Sequence, residues 1–566
     1  MGDLGAVAAS IPHYIPVLIV GGGAVGLTAS LLLARHGIRS LIVERHRARL
    51  PQPKAHAVNP RSSEILRQIG FDVSGLRGKG APVEESEWVN FVTTLSGVLL
   101  TRIPYERQDT QVRKVTPEPL FNVPQYILES ALEEAVLRSE LVQIHRNCSW
   151  NSWKINDQHL VESSITQRSD GQNHSIKSDF VVGADGTDST VRKTLTNVSW
   201  AGLPGQNCEK LWFVSICCRG DLLSLVSELG RPGQLYFSCL PLVKGTLIAH
   251  DLSSNWVLIR RVDLDVEPPS SFTQARCQEL VDEFIGKKLD YEIVAANSWF
   301  TEPRIASSYS SADHKIFLAG DAAHSFPPTG GLGINTGMAD VHNLCWKLAY
   351  SLQGKSQNPG RLLESYSSER RPIAIANAQQ SWHNSLVWFE SMENLSRDLE
   401  PDLPIDEIEN RLQNPAFLAA AREALEANRL HFDSLGLQIG YAYGQPDCAV
   451  RLREDCSRYE PSIKSGYRLP HSWLVDGRSS LDLISDTDIT LLVRESVDSD
   501  AENKITIATN YPFSVILQSA GKGDADKLLE YLGLDVGEGL LIRPDQHIVG
   551  KVRSAQDVVG LLMNSF

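Results

Sequence analysis

Residues 17–45 read VLIVGGGAVGLTASLLLARHGIRSLIVER, and no other stretch of the chain leaves so few folds open. VLIV fits a short buried strand, and Gly21, Gly23 and Gly26 follow it in G-x-G-x-x-G spacing. LTASLLLARHG then reads as a helix closed by Gly37, and SLIVE as a second strand ending in Glu44. Such a unit folds as two parallel strands with the helix packed across them. Gly21 permits the tight turn, Gly23 lets a pyrophosphate approach the backbone, and Gly26 lets the helix lie close to its strand. The free N–H groups at the helix start attract phosphate. Glu44 stands 18 residues beyond Gly26 (44 − 26), where a carboxylate accepts ribose hydroxyls. The unit predicts dinucleotide binding, without separating FAD from a nicotinamide dinucleotide.

Two later stretches bear on that choice. DFVVGADGTDSTVRK, residues 179–193, reads as a strand, a turn through Asp185 and Gly186, and a short helix capped by Ser189. Residues 320–337 read GDAAHSFPPTGGLGINTG, after the apolar run Ile316–Ala319 and before a helix. A strand ending there delivers Gly320 and Asp321 to the mouth of the first unit. Asp321 suits the hydroxyls of a ribityl chain. Pro327 and Pro328 stiffen a loop that can lie beside a ring system, and Gly330, Gly331 and Gly333 let backbone come close to it. A helix starting near Asn335 would aim its positive end at the ligand, which favours the negative charge of a reduced flavin.

This three-part set resembles the class A flavoprotein monooxygenases, the group of para-hydroxybenzoate hydroxylase and phenol hydroxylase. FNVPQYILESALEEAV, PKAHAVNPRSSEILRQIG and RLLESYSSERRPIA extend the resemblance over roughly residues 15–385. It implies FAD as cofactor, NADPH or NADH as reductant without a second dinucleotide fold, and Gln125 as a flavin contact. It also implies that reduced flavin and O2 form a C4a-hydroperoxide that hydroxylates a phenolic or aromatic polyketide-like substrate. An epoxidase or Baeyer–Villiger enzyme on the same fold stays open, as does a non-catalytic FAD-binding protein. His56, just before NPRSSE, is a candidate base near the substrate.

The expected fold is α/β: a Rossmann-type FAD domain, an interleaved antiparallel substrate sheet and a C-terminal thioredoxin-like domain. The FAD domain spans 14–199, with residues of about 80–110 lent to the substrate domain, and resumes over 298–400. Residues 200–297, where β-like runs alternate with Gly, Pro and Ser turns, form the substrate sheet. Tyr236, Phe237, His250 and Trp299 are its candidate pocket residues. A helical linker region follows over 401–465. Residues 466–566 resemble the thioredoxin-like domain of phenol hydroxylases; no CxxC occurs, so no dithiol chemistry is expected there.

Composition limits the partners. A net charge of −14 disfavours nucleic acid and anionic membrane. No apolar run reaches the ~18–20 residues of a membrane span. Nine scattered cysteines without ligand-like spacing suggest reduced thiols in the cytoplasm and no metal site. A small aromatic molecule and O2 are the expected partners, with a homodimer possible by resemblance.

Overall fold

A computed structural model describes residues 11–49, 54–238, 240, 243–396, 403–445, 454–494, 515–519 and 524–565. Its centre is a seven-stranded sheet. Strands Val142–Arg146, Ser40–Glu44, Tyr14–Val20 and Asn173–Gly183 lie side by side, all parallel. Strand Asn173–Gly183 then forks. Its first half pairs with the antiparallel Val161–Gln167, and its last residues, Val181–Gly183, pair with the parallel Ile316–Leu318. The parallel strands read as near-continuous apolar runs because they are buried. Helix Ala24–Arg35 packs on one side, against helix Gly333–Leu352.

A second seven-stranded sheet stands over the mouth of the first. Its order is Tyr291–Thr301, Leu211–Gly220, Asn255–Val262, Gly245–Asp251, Leu235–Ser238, Trp88–Val92, Leu99–Pro104. The last two strands come from the stretch near residues 80–110. One pair departs from the expected antiparallel pattern: Leu235–Ser238 runs parallel to Trp88–Val92. Helix Gln274–Ile285 buries Cys277, Leu280, Val281 and Phe284 against this sheet.

The 38-residue helix Pro359–Ser396, which carries Pro372 in its interior, runs along the molecule. The segment expected to be linker-like behaves as core instead: Leu435, Leu437, Ile439, Tyr441 and Tyr443 are each at most 6% exposed. Its aromatic and aliphatic side chains fill a space that its turn-like composition did not announce. The C-terminal region builds a four-stranded sheet, Val515–Ser519, Ile489–Val493, Gly539–Ile542 and Ile548–Val552, with one parallel and two antiparallel pairings. Among the described residues, no helix is long and apolar enough to cross a membrane.

Candidate flavin and substrate site

The three glycine-bearing stretches converge at the C-terminal ends of the central parallel strands, the position where ligands bind in open α/β sheets. Backbone bonds stitch them together. Gly21 N donates to Val43 O at 2.9 Å, Ala184 N to Val20 O at 2.8 Å and Ala319 N to Gly183 O at 2.9 Å. Space there is as tight as the spacing demands. Gly21 has φ +110°, and a Cβ on it would stand 2.3 Å from Ala184 O. A Cβ on Gly26 would stand 2.0 Å from Gly21 O. Gly337, one turn into its helix, faces Val25 and Gly320 across a gap that a Cβ would close to 2.6 and 2.9 Å. Gly23 is open by comparison, its nearest neighbour being Glu129 Oε1 at 3.6 Å.

The acids of the three stretches differ in what they have left to offer. Glu44 accepts from Gly22 N at 2.7 Å through Oε2 and from His46 N at 2.8 Å through Oε1. A carboxylate has about four acceptor sites, so lone pairs stay free for ribose. Asp185 is more fully engaged: it accepts from Ser189 Oγ at 2.5 Å, Thr190 N at 2.7 Å and Val191 N at 3.2 Å, tying down helix Thr190–Lys193. Gly186 beside it takes φ +83°. Among the described residues, Asp321 has only a 3.4 Å contact with the Thr187 hydroxyl. It is open to water at the mouth of the cleft, yet the protein around it raises its carboxyl above the ordinary value.

Residues that no periodicity marked hold Gly320 in place. His324 Nε2 lies 2.7 Å from Asp340 Oδ2, which also accepts from Gly320 N at 3.1 Å. Arg370 Nε donates to the other oxygen of Asp340 at 2.8 Å. Burial alone would raise the Asp340 carboxyl, but His324 and Arg370 hold it below the ordinary value. Arg192 bridges two of the motifs, donating to Ala322 O at 2.8 Å and Thr187 O at 2.7 Å. His324 and Arg370 sit inside stretches with a recognisable pattern, but only their spatial meeting at Asp340 shows their role.

The loop Pro327–Gly331 closes on itself through Gly331 N to Pro328 O at 3.0 Å and leans on the long helix, Thr329 Oγ1 donating to Ser381 O at 2.5 Å. Helix Gly333–Leu352 starts with Gly333, two residues before Asn335. The Asn335 amide is fully used: it donates to Ala57 O at 3.0 Å and Gly331 O at 2.7 Å, and accepts from Asn59 N at 3.0 Å and Ser62 Oγ at 2.7 Å. Its side chain therefore fastens the glycine loop to the 57–62 segment. Gln125 does a similar job, accepting from Ala55 N at 3.3 Å and donating to Glu129 Oε1 at 2.8 Å.

That 54–58 segment carries His56 into the space between the glycine loop and the second sheet. His56 Nε2 lies 3.0 Å from the Tyr105 hydroxyl, and the rings of His56 and His250 meet edge-on at 5.5 Å. Burial pushes the His56 imidazole down to about 4 and that of His250 well below its ordinary value. Tyr105, missed in the sequence because nothing in its surroundings is patterned, is pushed up out of reach by burial and by Glu106.

The remaining pocket candidates separate. Phe237 joins an aromatic cluster with Phe91 at 5.4 Å, Trp388 at 4.7 Å and Phe432 at 5.7 Å between ring centroids. Tyr236 precedes it in the strand and so points to the other face; it is fully buried, its hydroxyl donating to Arg231 O at 3.1 Å. Trp299 lies on the edge strand, stacked on Phe213 at 4.8 Å with its indole N–H on Ser215 Oγ at 2.7 Å. Four strand spacings, roughly 19 Å at ~4.8 Å each, separate it from Phe237. Tyr236 and Trp299 thus lie outside the chamber wall formed by the ring contacts that run from His250 through His56, Tyr105 and Phe432 to Phe237.

The donor set fits FAD: a glycine cradle that side chains would fill, a Glu44 carboxylate with acceptor sites to spare and an accessible Asp321 where the three motifs meet. Comparison with known proteins agrees. A family described as "FAD binding domain" matches residues 14–381. The FAD-dependent monooxygenase apdD of Emericella nidulans is 30% identical over 494 residues, covering 81% of this chain and 76% of that protein. Tetracenomycin A2 monooxygenase-dioxygenase of Streptomyces glaucescens is 28% identical, covering 95% of this chain and 89% of its own. The crystal structure of the flavin-dependent monooxygenase PieE, in complex with FAD and substrate, superposes with a TM-score of 0.87 at 26% identity, over 98% of this chain and 99% of that one.

Proposed function

From a chain that belongs to the FAD-binding-domain family of flavoprotein aromatic monooxygenases, we infer an enzyme that hydroxylates a phenolic ring system, with His56 and Tyr105 managing the substrate's proton. FAD, when bound and reduced by NADPH or NADH, supplies with O2 the oxygen atom that is transferred. The residues of this chain bind, orient and shield. Glu44 would hold the adenosine ribose, Asp321 the ribityl chain, and the motif backbones the pyrophosphate and ring. Gln125, Asp185 and Asn335 act by fixing the loops that do so.

The single observation that carries the proton role is the 3.0 Å contact of His56 with Tyr105 inside the chamber. A phenol with a pKa of about 10 does not surrender its proton outright to an imidazole near 4. His56 therefore acts as the oxygen transfer proceeds. With Tyr105 O–H donating to His56 Nε2, the Tyr105 oxygen is free to accept from the substrate hydroxyl, and the proton moves along this pair as the ring's acidity rises. Phe237, Phe91 and Trp388 wall the chamber against water, which would divert the activated oxygen.

The test is aerobic oxidation of NADPH and NADH by the purified flavoprotein, with and without a panel of phenols and hydroxylated polycyclic aromatics. The expected result is strong acceleration by one class and a product heavier by one oxygen atom at a ring carbon. Insertion beside a carbonyl, or an epoxide, as the product would replace ring hydroxylation by a Baeyer–Villiger or epoxidase function.

A further inference from the structure

We propose that the C-terminal hairpin is a flavin-positioning element, acting on the Gly320 loop through His547, Tyr443, Arg370 and Asp340. It rests on FAD binding at the three-motif cleft, but not on the identity of the substrate.

The hairpin joins strands Gly539–Ile542 and Ile548–Val552. Its tip, Arg543 to His547, is at most 9% exposed, with Gln546 in the left-handed region at φ +64°. A polar turn of this kind normally faces water. Here it is driven into the FAD-binding half of the molecule. Arg543 donates to Glu369 at 2.7 and 3.0 Å and pairs with Asp545. Asp545 O and Gln546 Oε1 each accept from Arg61 at 2.7 Å.

From the tip a continuous contact path runs to the cofactor loop. The His547 ring lies against that of Tyr443, centroids 4.3 Å apart. The Tyr443 hydroxyl accepts from Arg370 Nη1 at 3.3 Å. Arg370 Nε donates to Asp340, whose other oxygen accepts from Gly320 N. Gly320 precedes Asp321 directly. Arg370 also donates to Thr336 O at 3.2 Å, in the first turn of the helix that begins at Gly333. Every side chain on the path is nearly or wholly excluded from solvent, and buried hydrogen-bonded chains of this kind transmit small displacements because they have no slack. A second branch reaches the substrate side: Arg61 stands on helix Pro60–Gln68, two residues after Asn59, which donates to Asn335. The terminal region is thereby a stop behind both walls of the cleft.

The experiment measures FAD dissociation from the full chain by flavin fluorescence, together with the visible absorption of the bound flavin and Tm. Tyr443→Phe keeps the ring and removes the bond to Arg370; the expected loss of FAD affinity is about tenfold, the scale of a hydrogen bond to a charged group. His547→Ala should weaken FAD similarly, and His547→Phe, which keeps a ring against Tyr443, should restore most of it. Both weakened variants should also show a changed bound-flavin spectrum. Arg494→Gln is the control. Arg494 bonds only within the C-terminal region among the contacts described, to Asp526, Glu530 and Leu534 O, and its loss should lower Tm with FAD affinity unchanged. FAD affinity within about twofold of wild type in Tyr443→Phe and His547→Ala overturns the proposal. So does an Arg494→Gln variant that weakens FAD as much as they do, since the hairpin would then act only through stability. A wild type that binds FAD but hydroxylates no phenol removes the substrate reading alone.

Discussion

The cleft mouth and the chamber above it are built in opposite ways. At the mouth, backbone does the work: strand ends, helix starts and glycines that a methyl group would force apart. In the chamber, side chains do it, and they come from far apart in the chain: His56, Tyr105, Phe237, His250, Trp388 and Phe432. A ligand met by backbone leaves a spacing in the sequence. A ligand met by convergent side chains leaves almost none. The difference teaches that cofactor identity and substrate identity are recorded in different forms in the same molecule.

The comparison can be broken most sharply at the mouth. Gly21→Ala adds a Cβ 2.3 Å from a carbonyl oxygen at φ +110°. Strain and overlap of about 3 kcal/mol should reduce FAD affinity by more than about a hundredfold, read by titration of the apoprotein. If FAD binds normally, the backbone account of the mouth is wrong.

In the chamber one side chain at a time should matter, and for a different quantity. His56→Ala should leave FAD affinity unchanged and slow hydroxylation roughly a hundredfold, the lower range for a lost general base. Rapid-quench single turnovers would show it, with oxygen diverted to hydrogen peroxide. An equal loss of FAD affinity would place His56 at the mouth instead.

Acid separates the two plans next. His56 and His547 have imidazoles near 4, and His431 near 3, against 6.5 unfolded. Between those values the unfolded chain binds more protons, so stability should fall as pH drops from 6.5, by about 2 kcal/mol per group on reaching pH 5. Glu106 runs the other way: burial raises it to about 7 from 4.5, so it adds stability as pH falls through that window. Urea midpoints at pH 7.5, 6 and 5 should decline, and more steeply in Glu106→Gln.

The smallest effects should come from the residues that lie outside the chamber. Tyr236→Phe loses one buried hydrogen bond and should cost about 1 kcal/mol of stability with KM and kcat unchanged. Trp299→Ala should leave both kinetic constants within about twofold. A raised KM in either would extend the chamber across the sheet.

This division also explains what the sequence made legible. Gly21, Gly26, Glu44 and Asp321 meet at the mouth because the strand–turn–helix grammar fixes where strand ends go. His324, Asp340 and Arg370 were hidden by separation: their shared carboxylate joins two helices and a loop. Tyr236 and Phe237 were indistinguishable in sequence, since one residue of register decides which face each serves. Tyr441 and Tyr443 stood in turn-like text, and only packing against the C-terminal hairpin shows them to be core.

The forked strand Asn173–Gly183 sets an order of events for the chain's birth. Two of its neighbours, Tyr14–Val20 on one side and Val161–Gln167 on the other, are available early in synthesis. The notch beside Val181–Gly183 waits for Ile316–Leu318, after the whole intervening sheet has emerged from the ribosome. Contacts between such distant segments close slowly, and domains assemble from the N-terminal end as they are made. The cleft is therefore complete only once synthesis has passed Ile316–Leu318 and the Gly320 loop. A nascent chain stalled before residue 316 would hold the glycine loop and Glu44 yet lack the wall that carries Asp321.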